Sequence, residues 1–180
     1  MGIYFIAAGN SSRNREKSLD KSFTLKEIEP YLKKEHFEKI IKYINRDEPA
    51  YIWGANTNAH NQLNKVRLGE YVVDVENADV VQVLTFCCSI RTFDHRLQEF
   101  IGWDNEKPKE KRRPFEYVFF LKKRQDTNNK KKKYYQYAFG FNNNSHWLDG
   151  QKYFDDSLVK AAIVIKGSKN IEEFLGINKQ

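Results

Sequence analysis

The sequence predicts an α+β domain, and three observations lead there. Short apolar runs bounded by polar or turn residues recur at Ile3–Ala8, Tyr51–Ala55, Glu70–Glu76, Asp79–Cys87 and Glu116–Lys122, the pattern of buried strands. Phe37, Ile40, Ile41 and Ile44 fall at i, i+3, i+4 and i+7, which marks an amphipathic helix with lysines on its other face. The composition, 40% hydrophobic and 14% aromatic, is that of a folded chain, and 180 residues (1–180) fit one domain without repeat or linker.

Each element has a local cause. After the Ile3–Ala8 strand, Gly9-Asn10-Ser11-Ser12-Arg13-Asn14-Arg15 reads as a polar loop rich in hydrogen-bonding groups. Thr24-Leu25-Lys26-Glu27 has the capping-box spacing, in which a hydroxyl and a carboxylate three residues apart satisfy orphan backbone donors. Pro30 suits the first turn of a second helical segment, and the stripe at Phe37–Ile44 carries the next helix, which covers one opening of the sheet. Pro49 then separates that helix from the Tyr51-Ile52-Trp53-Gly54-Ala55 strand. Residues 57–68 read as a polar connection, and Glu76-Asn77-Ala78 as the turn of a hairpin joining the next two strands. A short helix is expected over Ile90–Phe100 and a charged loop over 102–114, with strands at Glu116–Lys122 and Tyr134–Phe141. Lys123–Lys133, between the last two, reads as a mobile hairpin tip. Asp155–Lys166 reads equally as helix or strand, with Ala161–Ile165 suited to a closing strand, and Ser168 would cap a last helix ending at Gly176.

No run approaches the roughly eighteen apolar residues of a membrane span, and no signal-peptide pattern opens the chain, so a cytoplasmic location is expected. Cys87 and Cys88 are adjacent, point to opposite faces of a strand, and so suit packing better than a disulfide or a zinc knuckle. The net charge of +7 is concentrated: residues 106–133 hold 12 Lys/Arg against 4 Asp/Glu, while the rest hold 19 against 20. That window also contains Phe115 and Tyr117 and begins just after Trp103, a combination suited to a phosphate-facing surface, although a solvated charge run would look the same.

Catalysis finds no support in the motifs. No Asp or Glu is followed two residues later by Lys, as a metal-dependent restriction nuclease requires, and no Gly-Lys pair exists for a P-loop. His36, His60, His95 and His146 are scattered, and Asp94-His95 suits a helix start better than an acid/base pair. Neither a metal, a cofactor nor a catalytic residue is expected.

The stretch at Trp53 is the most informative. It joins an apolar run, a Trp, a Gly that permits close approach, and the amides Asn56 and Asn58, which can pair with a base edge. A buried strand with a core Trp explains the same residues equally well. Trp53-Gly54-Ala55 followed by Gly69-Glu70-Tyr71-Val72 resembles the EVE/YTH/ASCH group of the PUA superfamily. The Asn-rich first loop and the Trp103–Tyr117 segment add a resemblance to the N-terminal modified-DNA-reading domains of McrBC-type (type IV) restriction proteins. Residue 70 is usually Asp in that group and is Glu here.

The resemblance implies a twisted β-barrel of about five or six strands flanked by helices, and a reader that flips a methylated base into an aromatic pocket. The pocket would be lined by Asn10, Ser11, Ser12, Trp53, Asn56, Asn58, Trp103 and Tyr117. Phosphates would be held by Arg13, Arg15, Lys17, Lys111, Arg112, Arg113, Lys131 and Lys132. It also implies fusion to, or association with, a motor or nuclease subunit that does the cutting. A reader of modified RNA of YTH type and a small ASCH-type nucleotide-processing enzyme are the alternatives.

Overall fold

The computed structural model describes residues 1–7, 12–55, 60–76, 79–103, 115–128, 130–141 and 150–177. In chain order they form β1 (Ile3–Ala7), α1 (Ser12–Ser18), α2 (Leu25–Ile28), a 3-10 turn (Glu29–Tyr31), α3 (Lys34–Ile40), β2 (Tyr51–Ala55), α4 (His60–Leu63), β3 (Tyr71–Glu76) and β4 (Asp79–Arg91). There follow α5 (His95–Ile101), β5 (Tyr117–Asp126), α6 (Lys132–Ala138), β6 (Gln151–Phe154), α7 (Asp156–Ile165) and α8 (Ile171–Leu175). The strands make a mixed six-stranded sheet in the order β2-β5-β4-β3-β1-β6, which gives the α+β class and the strand number expected. By packing, the chain divides into two units: Met1–Asn10, Gln62–Phe86 and Lys123–Gln180 form the first, Ser11–Asn61 and Cys87–Lys122 the second.

In the first unit β1 runs parallel to β3, with Ile3 opposite Tyr71, and antiparallel to β6, with Ile3 opposite Phe154. Flanked on both edges, β1 is buried from Ile3 to Ile6, which explains why it is apolar without alternation. The β3–β4 hairpin lies where the sequence puts it, with Glu76 opposite Asp79 and a bulge between Asp74 and Val75; the turn residues 77 and 78 fall outside the described residues. The core centres on Tyr135, whose ring meets Phe5 at 5.4 Å and Phe174 at 5.3 Å edge-on and whose hydroxyl donates to the Leu175 carbonyl at 3.1 Å.

Glu70 is buried, and it is an anchor. Its carboxylate accepts from the Gly2 N–H at 2.7 Å, the Tyr153 hydroxyl at 3.0 Å and the Arg67 N–H at 2.8 Å. Burial, and this bond to Glu70, push the Tyr153 hydroxyl up to about 12. Gly69 before it has a left-handed φ of 86°, a conformation that costs a glycine nothing.

Several expectations fail in this unit. Tyr134–Phe141 is not a strand: α6 occupies Lys132–Ala138, burying Tyr135 and Ala138, three residues apart, on its inner side. Lys123–Lys133 is not a hairpin tip. Lys123–Asp126 extend β5, Thr127 bridges to Ile177, and Lys130 donates to the Glu173 and Phe174 carbonyls at 2.7 and 3.0 Å. Ala161–Ile165 belongs to helix α7, capped by Asp155 accepting from the Leu158 N–H at 3.0 Å, and the strand against β1 is β6 instead. Asn170, not Ser168, caps α8, while Gly176 at φ 72° ends it as expected.

In the second unit the Thr24–Glu27 capping box forms, and Pro30 sits in the first turn of the 3-10 segment. Helix α3 ends at Ile40, so Ile40 and Ile44 are buried while Ile41 is 43% exposed. Residues 12–15, expected in a loop, are the first part of α1. Residues 60–63 of the expected polar connection form α4. Strand β4 continues through Arg91, and the helix after it starts at His95 under an Asp94 cap rather than at Ile90. Leu25, Ile28, Ile40, Ile52, Leu97 and Phe120 share a core with both cysteines. Burial and the neighbouring Cys87 push the Cys88 thiol up to about 12, which keeps it protonated and inert. Among the described residues no helix is long and apolar enough to cross a membrane.

Candidate nucleic-acid interface

Strand β2 pairs antiparallel with β5 in the second unit, placing Trp53 opposite Phe119, Gly54 opposite Val118 and Ala55 opposite Tyr117. Side chains alternate across a strand, so Ile52 and Gly54 share one face and Trp53 and Ala55 the other. Ile52 belongs to the helix-covered core, which fixes the orientation of both faces.

Gly54 leaves space for a ring rather than making a turn: a Cβ there would stand 2.5 Å from Cγ of Phe115. Phe115 in turn meets Trp103 edge-on at 5.1 Å, and Trp103 is 1% exposed in the same core as Ile52. Gly54→Ala therefore forces Phe115 off its packing against Trp103. It should lower stability by about 1–3 kcal/mol, measured by equilibrium denaturation, and a variant as stable as the parent would mean that Phe115 yields freely.

Trp53 and Trp103 thus lie on opposite faces of β2 and do not sandwich one base. Trp53 shares its face with Tyr117, the diagonal neighbour across the β2–β5 pair. Trp53 is 6% exposed, and its indole N–H is buried with no acceptor among the described residues. A buried donor left unmade costs about 1–3 kcal/mol, which a ligand carbonyl or ring nitrogen would recover. The Trp103 N–H is likewise buried without an acceptor, within the helix-covered core.

Next to this face stand two residues that motif reading did not single out. The Arg91 guanidinium lies 5.8 Å from the Tyr117 ring and 5.3 Å from that of Phe93, and 3.7 Å from the Glu116 carboxylate. Arg91 ends β4, which runs on where a helix was expected, and Phe93 follows in the short connection to α5.

Of the other expected pocket residues, Asn10, Ser11, Asn56 and Asn58 lie outside the described residues, and Ser12 opens α1. Among the expected phosphate contacts, Lys111, Arg112 and Arg113 lie outside them too, and Arg13 is placed only by its backbone in α1. Arg15 is buried and paired with Asp20 at 3.1 Å, and Lys17 donates to the Gly102 carbonyl at 2.6 Å at the end of α5. Both are engaged inside the second unit, Arg15 by its ion pair and Lys17 by its bond to the end of α5.

In the first unit Lys131 pairs with Asp79 at 2.6 Å yet keeps 68% of its side chain exposed, and Lys132 opens α6. Around them Lys130 and Lys166 lie over the Tyr134 ring at 4.4 and 4.6 Å, and Lys133 over Tyr137 at 5.7 Å. Lys166 closes α7, so cations from two helices gather on one surface that sequence position alone did not connect. Among the described residues no group of His, Cys, Asp or Glu could hold a metal ion.

No family model and no curated protein matches the sequence. In three dimensions the chain is similar to the N-terminal domain of Thermococcus gammatolerans McrB, solved bound to m5C DNA, with a TM-score of 0.57 and 12% identity over 93% of this chain and 98% of that one. The fold is that of an McrB N-terminal domain. At 12% identity the McrB likeness is one of fold, and the side chains above stand on their own geometry.

Proposed function

We propose that this chain binds DNA carrying a methylated base, takes the flipped base against the Trp53 face of β2, and serves as the specificity module of a modification-dependent restriction system. The observation that carries the reading is the buried, acceptor-less indole N–H of Trp53 beside Tyr117, in a fold whose solved relative was bound to m5C DNA. Flipping a base costs a few kcal/mol and is offset by aromatic contact and edge hydrogen bonds. The methyl group itself adds on the order of 1 kcal/mol when buried.

Asn10, Ser11, Ser12, Asn56 and Asn58 would supply further edge contacts, and Arg13, Lys111, Arg112, Arg113, Lys131 and Lys132 the phosphate contacts. Trp103 keeps the pocket wall in place through Phe115 and Gly54 rather than stacking on the base. Cleavage belongs to a motor or nuclease partner, fused or associated, because this chain has no acid-x-Lys triplet with which to hold a metal.

The test compares one sequence as methylated duplex, unmodified duplex, single-stranded DNA and RNA at fixed salt. The methylated duplex should bind several-fold more tightly than the unmodified one. Equal affinity for both would overturn the reading, and preference for methylated RNA over methylated duplex would reassign the pocket to RNA.

A further inference from the structure

We propose that Phe93 is a wedge that enters the base stack of a duplex when the neighbouring base is drawn out, an inference that rests on the reading of Trp53 as a base site. Phe93 is 61% exposed, although a phenyl ring is among the side chains most favoured in a core. The backbone that carries it is held on both sides. Thr92 is buried and its N–H donates to the Glu116 carbonyl at 2.8 Å, while its hydroxyl accepts from the Asp94 N–H at 3.1 Å. Asp94 caps α5, accepting from the Arg96 N–H at 3.0 Å, and its carboxylate takes the Arg96 guanidinium at 2.6 to 3.1 Å. An exposed ring on so short and fastened a mount loses little freedom when it enters a stack, which is what a wedge needs.

Its location fits the same role. Arg91 touches the rings of Phe93 and Tyr117 at once, so Phe93 stands one guanidinium away from the face that carries Trp53. A duplex that gives up a base to that face has its vacated step within reach of Phe93, and apolar side chains inserted at such steps are the common device for holding an unstacked duplex open. Arg91, whose side chain is 57% exposed, would meet the phosphate beside the gap. The nearby acids do not oppose this, since Asp94 is neutralised by Arg96 and Glu116 lies on Arg91.

The experiment compares the parent chain with Phe93→Ala and Phe93→Leu on a methylated duplex and on a single strand holding the same methylated base, with a fluorescent base analogue next to that base to report unstacking. For Phe93→Ala we expect roughly a ten-fold loss on the duplex together with loss of the fluorescence change. Binding to the single strand, where no stack has to be held open, should stay within about two-fold, and Phe93→Leu should keep most of the duplex affinity. Because the ring is exposed, the melting temperature of Phe93→Ala should match the parent. Unchanged duplex affinity in Phe93→Ala would overturn the wedge, as would an equal loss on duplex and single strand. A parent chain that ignores methylation in both substrates would instead remove the base-site reading, and the wedge with it.

Discussion

Trp53→Ala should weaken binding to the methylated duplex by about ten- to a hundred-fold, the range expected when a base loses an aromatic contact. Unmodified duplex, held through its phosphates, should lose far less. Trp53 is only 6% exposed, so truncation also leaves a cavity, and large-to-small changes of buried aromatics cost about 3–5 kcal/mol of stability. Trp53→Phe separates the two effects, since it keeps a ring and removes the N–H that lacks an acceptor. The phenylalanine variant should remain folded and still lose methyl-specific affinity. If it stays folded and discriminates as the parent does, the indole N–H has no part in recognition. If Trp53→Ala reduces both affinities in step with its melting temperature, Trp53 is a core residue and nothing more.

Binding should also depend steeply on salt. Neutralising about six phosphates makes affinity fall by about a thousand-fold between about 50 and about 200 mM salt. Lys132, Lys133 and Lys166 are suited to this, because among the described residues none lies in an ion pair and all belong to the α6–α7 surface. Lys132→Ala should reduce the salt slope by about one and weaken methylated and unmodified duplex alike. A flat salt profile would remove the electrostatic interface. A Lys132→Ala effect confined to methylated DNA would place that lysine in the base site instead.

On the proposed reading, the two sets of residues would divide the work by physical type. Phosphate contacts act on any duplex and set affinity, whereas a buried donor and a ring act on one base and set choice. Lys131 belongs to the first set only in part, since its pairing with Asp79 must be shared with a phosphate.

Sequence by itself determined the parts of this protein that local chemistry dictates. The capping box at Thr24–Glu27, the β3–β4 hairpin, the Trp53 strand and the left-handed Gly176 stop were legible because each depends on residues within a few positions of one another. The tertiary structure alone decided the rest. Tyr134–Phe141 has the aromatic content of a strand, yet packing of Tyr135 against Phe5 and Phe174 makes it a helix, since β-propensity reports the surface a residue packs on. Gln151–Phe154 has no strong pattern and becomes a strand only because the edge of β1 is open to it. Trp53 and Trp103 look alike in sequence as stacking platforms. Only the register of β2 against β5, with Phe115 filling the space above Gly54, puts Trp103 in the helix-covered core and Trp53, itself buried, on the other face with Phe119 and Tyr117, because which side of a strand a residue occupies is set by what covers each face.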